Sequence, residues 1–199
     1  MEAILATRSF IARLTATGYS GVYVHWDGYP SGRLPLLLAA HQHRFVGDVE
    51  AMAQHLIDNV PVGWSCLGTD LLDGAPEALR THLTGGRDFP SNELDDIVTA
   101  DGSPPERQTV TEKTADGLDW GYVLHPHGIE VIPLPETKQG LIVDWNTDPR
   151  ARFSDSYVLW KPGQPLPATL PPRATQPAAT PAQPAAAPAA NRPAARRII

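Results

Sequence analysis

The stretch "VYVHWDGYPSGRLP", residues 22–35, places the end of a strand, a turn and the start of a helix next to one another. Val22, Val24 and Trp26 alternate with Tyr23 and His25, the period of two that sends successive side chains to opposite faces of a sheet. Trp26 thereby reads as an apolar anchor of the strand, and Asp27-Gly28 as the turn that follows it. A helix is expected from about Arg33, with Pro35 in the first turn, where its missing N–H costs nothing. Leu34, Leu37, Leu38 and His41 follow the i, i+3, i+4, i+7 rule and give that helix one apolar stripe.

Upstream, residues 6–14 mix polar and apolar side chains as a half-covered strand does, and residues 15–21 supply turn chemistry. The two strands form a hairpin. If it is centred on that loop, facing residues have numbers summing to about 35 or 36, which brings Arg8 close to Trp26, Asp27 or Gly28.

Downstream, Asp48 is a helix N-cap, and Val49, Met52, Ala53 and Leu56 form the buried face behind it. A short helix is expected over 76–83 and loop over 101–107, with strands at 109–113, 120–125, 129–132 and 141–145. Strands 120–125 and 129–132 pair across Pro126-His127-Gly128. The order is an N-terminal β-hairpin, two or three helices, and a C-terminal antiparallel β-meander, which is α+β rather than alternating βα.

Residues 161–199 hold ten prolines and twelve alanines, so no helix can propagate there and no core can form. The expected organisation is one domain over 1–160 and a disordered, basic Pro/Ala-rich tail over 161–199. That tail carries +5; taken from the overall −6, it leaves −11 on the first 160 residues. An acidic body disfavours nucleic acid, because phosphate binding needs clustered Lys and Arg. A lone cysteine, Cys66, excludes an intrachain disulfide and a cysteine-based zinc site. The start of the chain lacks the apolar run of a signal peptide, and no stretch approaches a membrane span, so a cytoplasmic protein without membrane contact is expected.

The chemistry-bearing side chains form two groups. Tyr23, His25 and Asp27 share a face if the strand continues through all three, and Arg8 arrives from the neighbouring strand. A guanidinium, an imidazole and a carboxylate in one corner suit the reading of a small anion, since guanidinium grips carboxylate and phosphate in two-pronged fashion. His125 and His127, at a hairpin tip, could join His25 and Asp27 in a hydrolase or metal-assisted enzyme. His41 and His43, two residues apart on a helix, point away from each other and make no metal site. Cys66 has no basic neighbour in sequence to activate it, and no nucleophile or phosphate-loop motif is present.

Thr7-Arg8-Ser9, the run from Tyr23 to Pro30 and the Leu-rich helix after it resemble a group of uncharacterised small proteins from bacteriophages and actinobacteria. Strands like Trp120–Val123 and Ile129–Val131 also occur in that group. The resemblance implies an accessory protein of a chromosome or mobile element and no particular chemistry. The clustered corner and the absence of any catalytic motif lead to the expectation of a non-enzymatic module with no cofactor and no metal. Arg8, Tyr23, His25 and Asp27 would meet a small anionic ligand or a partner protein, with the histidine-based enzyme as the alternative.

Overall fold

A computed structural model describes residues 6–94 and 106–170. Its centre is a mixed sheet of order β4-β3-β2-β1-β6-β7-β8, with β5 also paired to β2. Strand β1 (Ser9–Thr15) and strand β2 (Gly18–Val24) form the N-terminal hairpin. Its loop is only Ala16-Thr17, and Ser9 faces Val24, so facing residues sum to 33 rather than 35 or 36. The reason is local: Tyr19 is buried and stacked on Phe10 at 4.8 Å, so residues 18–21 are strand rather than loop. Strands β6 (Trp120–His125), β7 (Gly128–Pro133) and β8 (Leu141–Asp144) make the C-terminal meander, and β6 runs parallel to β1. Strand β5 (Thr109–Thr111) leaves the meander and lies antiparallel to β2.

Alternation divides the core. Ile11, Val22, Val24, Trp120, Tyr122 and Leu124 face the helices, while Phe10, Ala12, Tyr19 and Val123 face a smaller cluster closed by Val110 and Ala115. Helix α1 (Pro30–Ala39) starts three residues earlier than the sequence predicts, with Pro30 in the first-turn role and Pro35 inside the helix. The stripe Leu34, Leu37 and Leu38 is fully buried against the sheet. The axis continues through a π-helical turn, Ala40–Arg44. Helix α2 (Val49–Ala53) is capped as its sequence implies: Ala51 donates its amide to the Asp48 side chain at 2.9 Å. Strand β3 (Trp64–Cys66) and strand β4 (Asn92–Glu93) extend the sheet beyond β2, and helix α3 (Glu77–Thr84) ends at Gly85 in the left-handed conformation.

Past residue 160 the chain continues in regular contact: Lys161 pairs with Glu136 at 2.7 Å, and strand β9 (Arg152–Phe153) pairs with β10 (Ala168–Thr169). The Pro/Ala-rich expectation for 171–199 lies outside the described residues. No helix among the described residues is long and apolar enough to cross a membrane.

His41 closes the apolar stripe of α1 as a packing residue. It is buried, stacked on Trp145 at 4.2 Å, and among the described residues neither ring nitrogen has a hydrogen-bond partner. Burial holds its pKa, and that of the half-buried His55, below the ordinary imidazole value. Below about pH 6.5 the unfolded chain takes up protons that the folded chain refuses, so stability is full above that pH and falls as pH drops. Each histidine that stays neutral contributes a slope of at most about 1.4 kcal/mol per pH unit. His41→Phe, which keeps a ring against Trp145, should flatten the urea-midpoint profile between pH 6.5 and 5; an unchanged slope refutes the assignment.

Candidate functional site

The turn after β2 positions everything that follows. His25 and Trp26 continue alongside β3, donating their amides to Trp64 and Ser65 carbonyls at 3.0 and 2.9 Å. Asp27 then takes φ +57°, a left-handed conformation that non-glycine residues adopt at a cost. Gly28 has a different task from the one its sequence implies. Its amide donates to the Thr7 carbonyl at 3.0 Å, and a Cβ there would stand 2.6 Å from that oxygen and 2.9 Å from Ser9 Cβ. Asp27 makes the reversal, and Gly28 permits the close approach to β1. Trp26 is not a core anchor: the residue is 38% exposed, its ring lies edge-on to His25, and its carbonyl accepts from Arg33.

That reversal separates the four residues of the expected corner. Tyr23 and His25 stay together, Tyr23 Oη lying 2.7 Å from His25 Nδ1. Arg8 is near them: burial raises the Tyr23 hydroxyl pKa, and the Arg8 charge opposes that rise. The Arg8 amide donates to Asp119 at 2.9 Å. Asp27 turns instead toward α1, and among the described residues no Arg8–Asp27 ion pair forms.

Asp27 lies at the rim of a cavity of about 570 Å³ between the start of α1, the segment 67–72, the end of α3 and residues 149–153. Its walls are largely apolar, including Leu36, Leu72, Phe89 and Phe153, and exposed Tyr29 and Phe89 flank the opening. Such a volume suits a small organic ligand. The segment carrying Phe89 is fixed to the opposite wall: Thr69 and Phe89 exchange backbone and hydroxyl hydrogen bonds, and Ser91 donates twice to the Asp70 carboxylate. Burial works to raise the Asp70 pKa, but the Ser91 donors and Arg44 outweigh it and hold the carboxyl below its ordinary value.

Arg33 is the unusual member of the wall. Only 2% exposed, it donates Nη2–H to the Trp26 carbonyl at 2.7 Å, while its Nε has no partner among the described residues. Among the described residues no carboxylate lies within 4 Å of it. Burial lowers its pKa, and the neighbouring Tyr122 and Asp27 oppose that fall. Arg150 and Arg152 add cationic groups at the rim. Arg150 is closed in a two-pronged pair with Asp148 at 2.6–3.1 Å, whereas the Arg152 guanidinium has no hydrogen-bond partner among the described residues. The start of α1 is not free to bind an anion, because the Ser31 amide and hydroxyl both donate to Asp155, at 2.9 and 2.8 Å.

The loop histidines stand elsewhere. Arg13 faces Leu124 on β6, and Ser9 faces Val24 on β2, which puts His125 and His25 six strand positions apart, about 20 Å at 3.3 Å per residue. His125 is tied into its own hairpin: Nε2 lies 3.1 Å from Glu130, whose other oxygen accepts the Gly140 amide at 2.8 Å. His127 packs against the His125 ring at 5.8 Å. Among the described residues no three His, Cys, Asp or Glu side chains are grouped to hold a metal ion. Cys66 is a half-buried free thiol on β3.

Sequence reading overlooked Arg33, yet a signal was present: position 33 is four residues before Leu37, so a guanidinium falls on the buried stripe of α1. Arg152 and Phe89 gave no comparable signal, since they reach the cavity only through tertiary packing. No protein family matches the chain, and no curated protein or solved structure matches it.

Proposed function

We propose that the chain is a small cytoplasmic binding module, not an enzyme, and that its ligand is a small anion with an apolar body. The observation that carries this reading is Arg33: a residue of the cavity wall whose buried guanidinium has, among the described residues, no acid within 4 Å and one nitrogen unpartnered. A buried charge is costly unless paired, and an anionic ligand supplies the missing partner. Arg152 adds a second cation at the rim, and the apolar wall receives the rest of the molecule. Asp27 belongs to the cavity, while Arg8, Tyr23 and His25 form a separate surface cluster.

Isothermal titration of the full chain with 3-phenylpropanoate and with its neutral amide, 3-phenylpropanamide, tests the proposal. The acid should bind one to one, at least about tenfold tighter than the amide. Arg152→Ala should weaken the acid, and Arg8→Ala should not. Equal affinity for acid and amide, or no saturable binding of the acid, overturns it.

A further inference from the structure

Among the described residues the cavity carries a second charge that stands outside any ion pair. Asp27 stands at its rim, exposed, and its carboxylate accepts no hydrogen bond and meets no cation within 4 Å among the described residues. It is near enough for its charge to act on Arg33, yet the two do not close into an ion pair. The residue is also held at φ +57°, and such outliers persist where surrounding structure fixes them, often at ligand-binding positions.

Two opposite charges on residues that line one cavity, neither in an ion pair among the described residues, are complementary to a molecule that carries both. We propose, building on the anion-binding reading, that the ligand is a small zwitterion with an apolar body, of the amino-acid or short-peptide class. Its ammonium meets Asp27 at the rim, its carboxylate meets Arg33, and its apolar part lies against Leu36, Leu72, Phe89 and Phe153. Arg150 takes no part, because Asp148 already occupies its guanidinium. The two charges set the specificity: a plain acid leaves Asp27 unanswered, and a plain amine leaves Arg33 unanswered.

The experiment titrates the full chain with L-phenylalanine, the dipeptide alanylphenylalanine, 3-phenylpropanoate and phenethylamine. The dipeptide is included because it holds the two charges further apart. One of the zwitterions should bind about tenfold tighter than 3-phenylpropanoate, and phenethylamine should bind weakest. In Asp27→Asn the zwitterion's advantage should fall below about threefold while the affinity for 3-phenylpropanoate is not reduced. If neither zwitterion binds tighter than 3-phenylpropanoate, the zwitterion proposal fails and the anion reading stands. An advantage that survives Asp27→Asn also overturns the proposal. If none of the acids binds, both readings fall together.

Discussion

Arg33→Met should fold, match or exceed the wild-type chain in stability, and lose about a hundredfold in affinity for 3-phenylpropanoate. Arginine at position 33 has been taken out of water with one carbonyl, that of Trp26, as its hydrogen-bonded compensation. Burying a guanidinium in this way costs several kcal/mol, and replacing buried ions by apolar residues of similar length is often neutral or stabilising by about 1–4 kcal/mol. Methionine matches the arginine stem in reach and adapts to irregular space. It leaves the Trp26 carbonyl without its donor, a loss of about 1–3 kcal/mol that offsets much of the gain. The urea midpoint should therefore stay level or rise slightly. A guanidinium kept for the fold would behave oppositely: its removal would cost about 3–5 kcal/mol, and that result would identify Arg33 as structural.

Trp160→Ala should be the more damaging substitution, costing about 3–5 kcal/mol. This ring is fully buried, edge-on to Trp120 at 6.4 Å and tilted against Phe153 at 6.2 Å, with its Nε1–H donated to the Ser154 carbonyl at 2.7 Å. Phe153 and Ala151 are cavity wall, so the indole supports that wall from behind. A loss of this size is a large part of the roughly 5–15 kcal/mol that holds an ordinary domain together. Urea denaturation followed by far-ultraviolet circular dichroism measures it. Trp160→Phe, which retains a ring but no donor, should recover more than half of the loss; an Ala variant within 1 kcal/mol of wild type would contradict the packing described.

Legibility followed sequence distance. The 16–17 turn lies within a hairpin recognisable from alternation alone, and the Asp48 cap and the 125–128 reversal are likewise local patterns. The starting residue of α1 was harder, because two prolines compete for the first turn and Pro30 prevails over Pro35. Parallel pairing of β1 with β6 and the attachment of β5 to β2 leave no mark in either strand, since any strand of suitable alternation would satisfy the same edge. At the site, the grouping of Arg8, Tyr23, His25 and Asp27 assumed that alternation continues past Trp26. A single left-handed residue at position 27 ends it and sends the carboxylate to the side where Arg33 lies. Backbone reversals of this kind are chosen by tertiary fit: Gly28 is the more permissive residue of the pair, yet contact with Thr7 and Ser9 fixes it in place and leaves Asp27 to turn.

The parallel β1–β6 contact also sets the order in which the molecule can assemble. Arg8 and Asp119, joined by a hydrogen bond at the head of these strands, are 111 residues apart. The N-terminal hairpin and the C-terminal meander can each form from neighbouring residues, but their union must wait for synthesis to deliver both, at the entropic cost of closing a very long loop. Until then β1 presents an unpaired edge with Phe10 and Ile11 beside it. Nascent chains halted before residue 120 would therefore be the aggregation-prone species of this protein, and release of the meander from the ribosome would be the event that protects them.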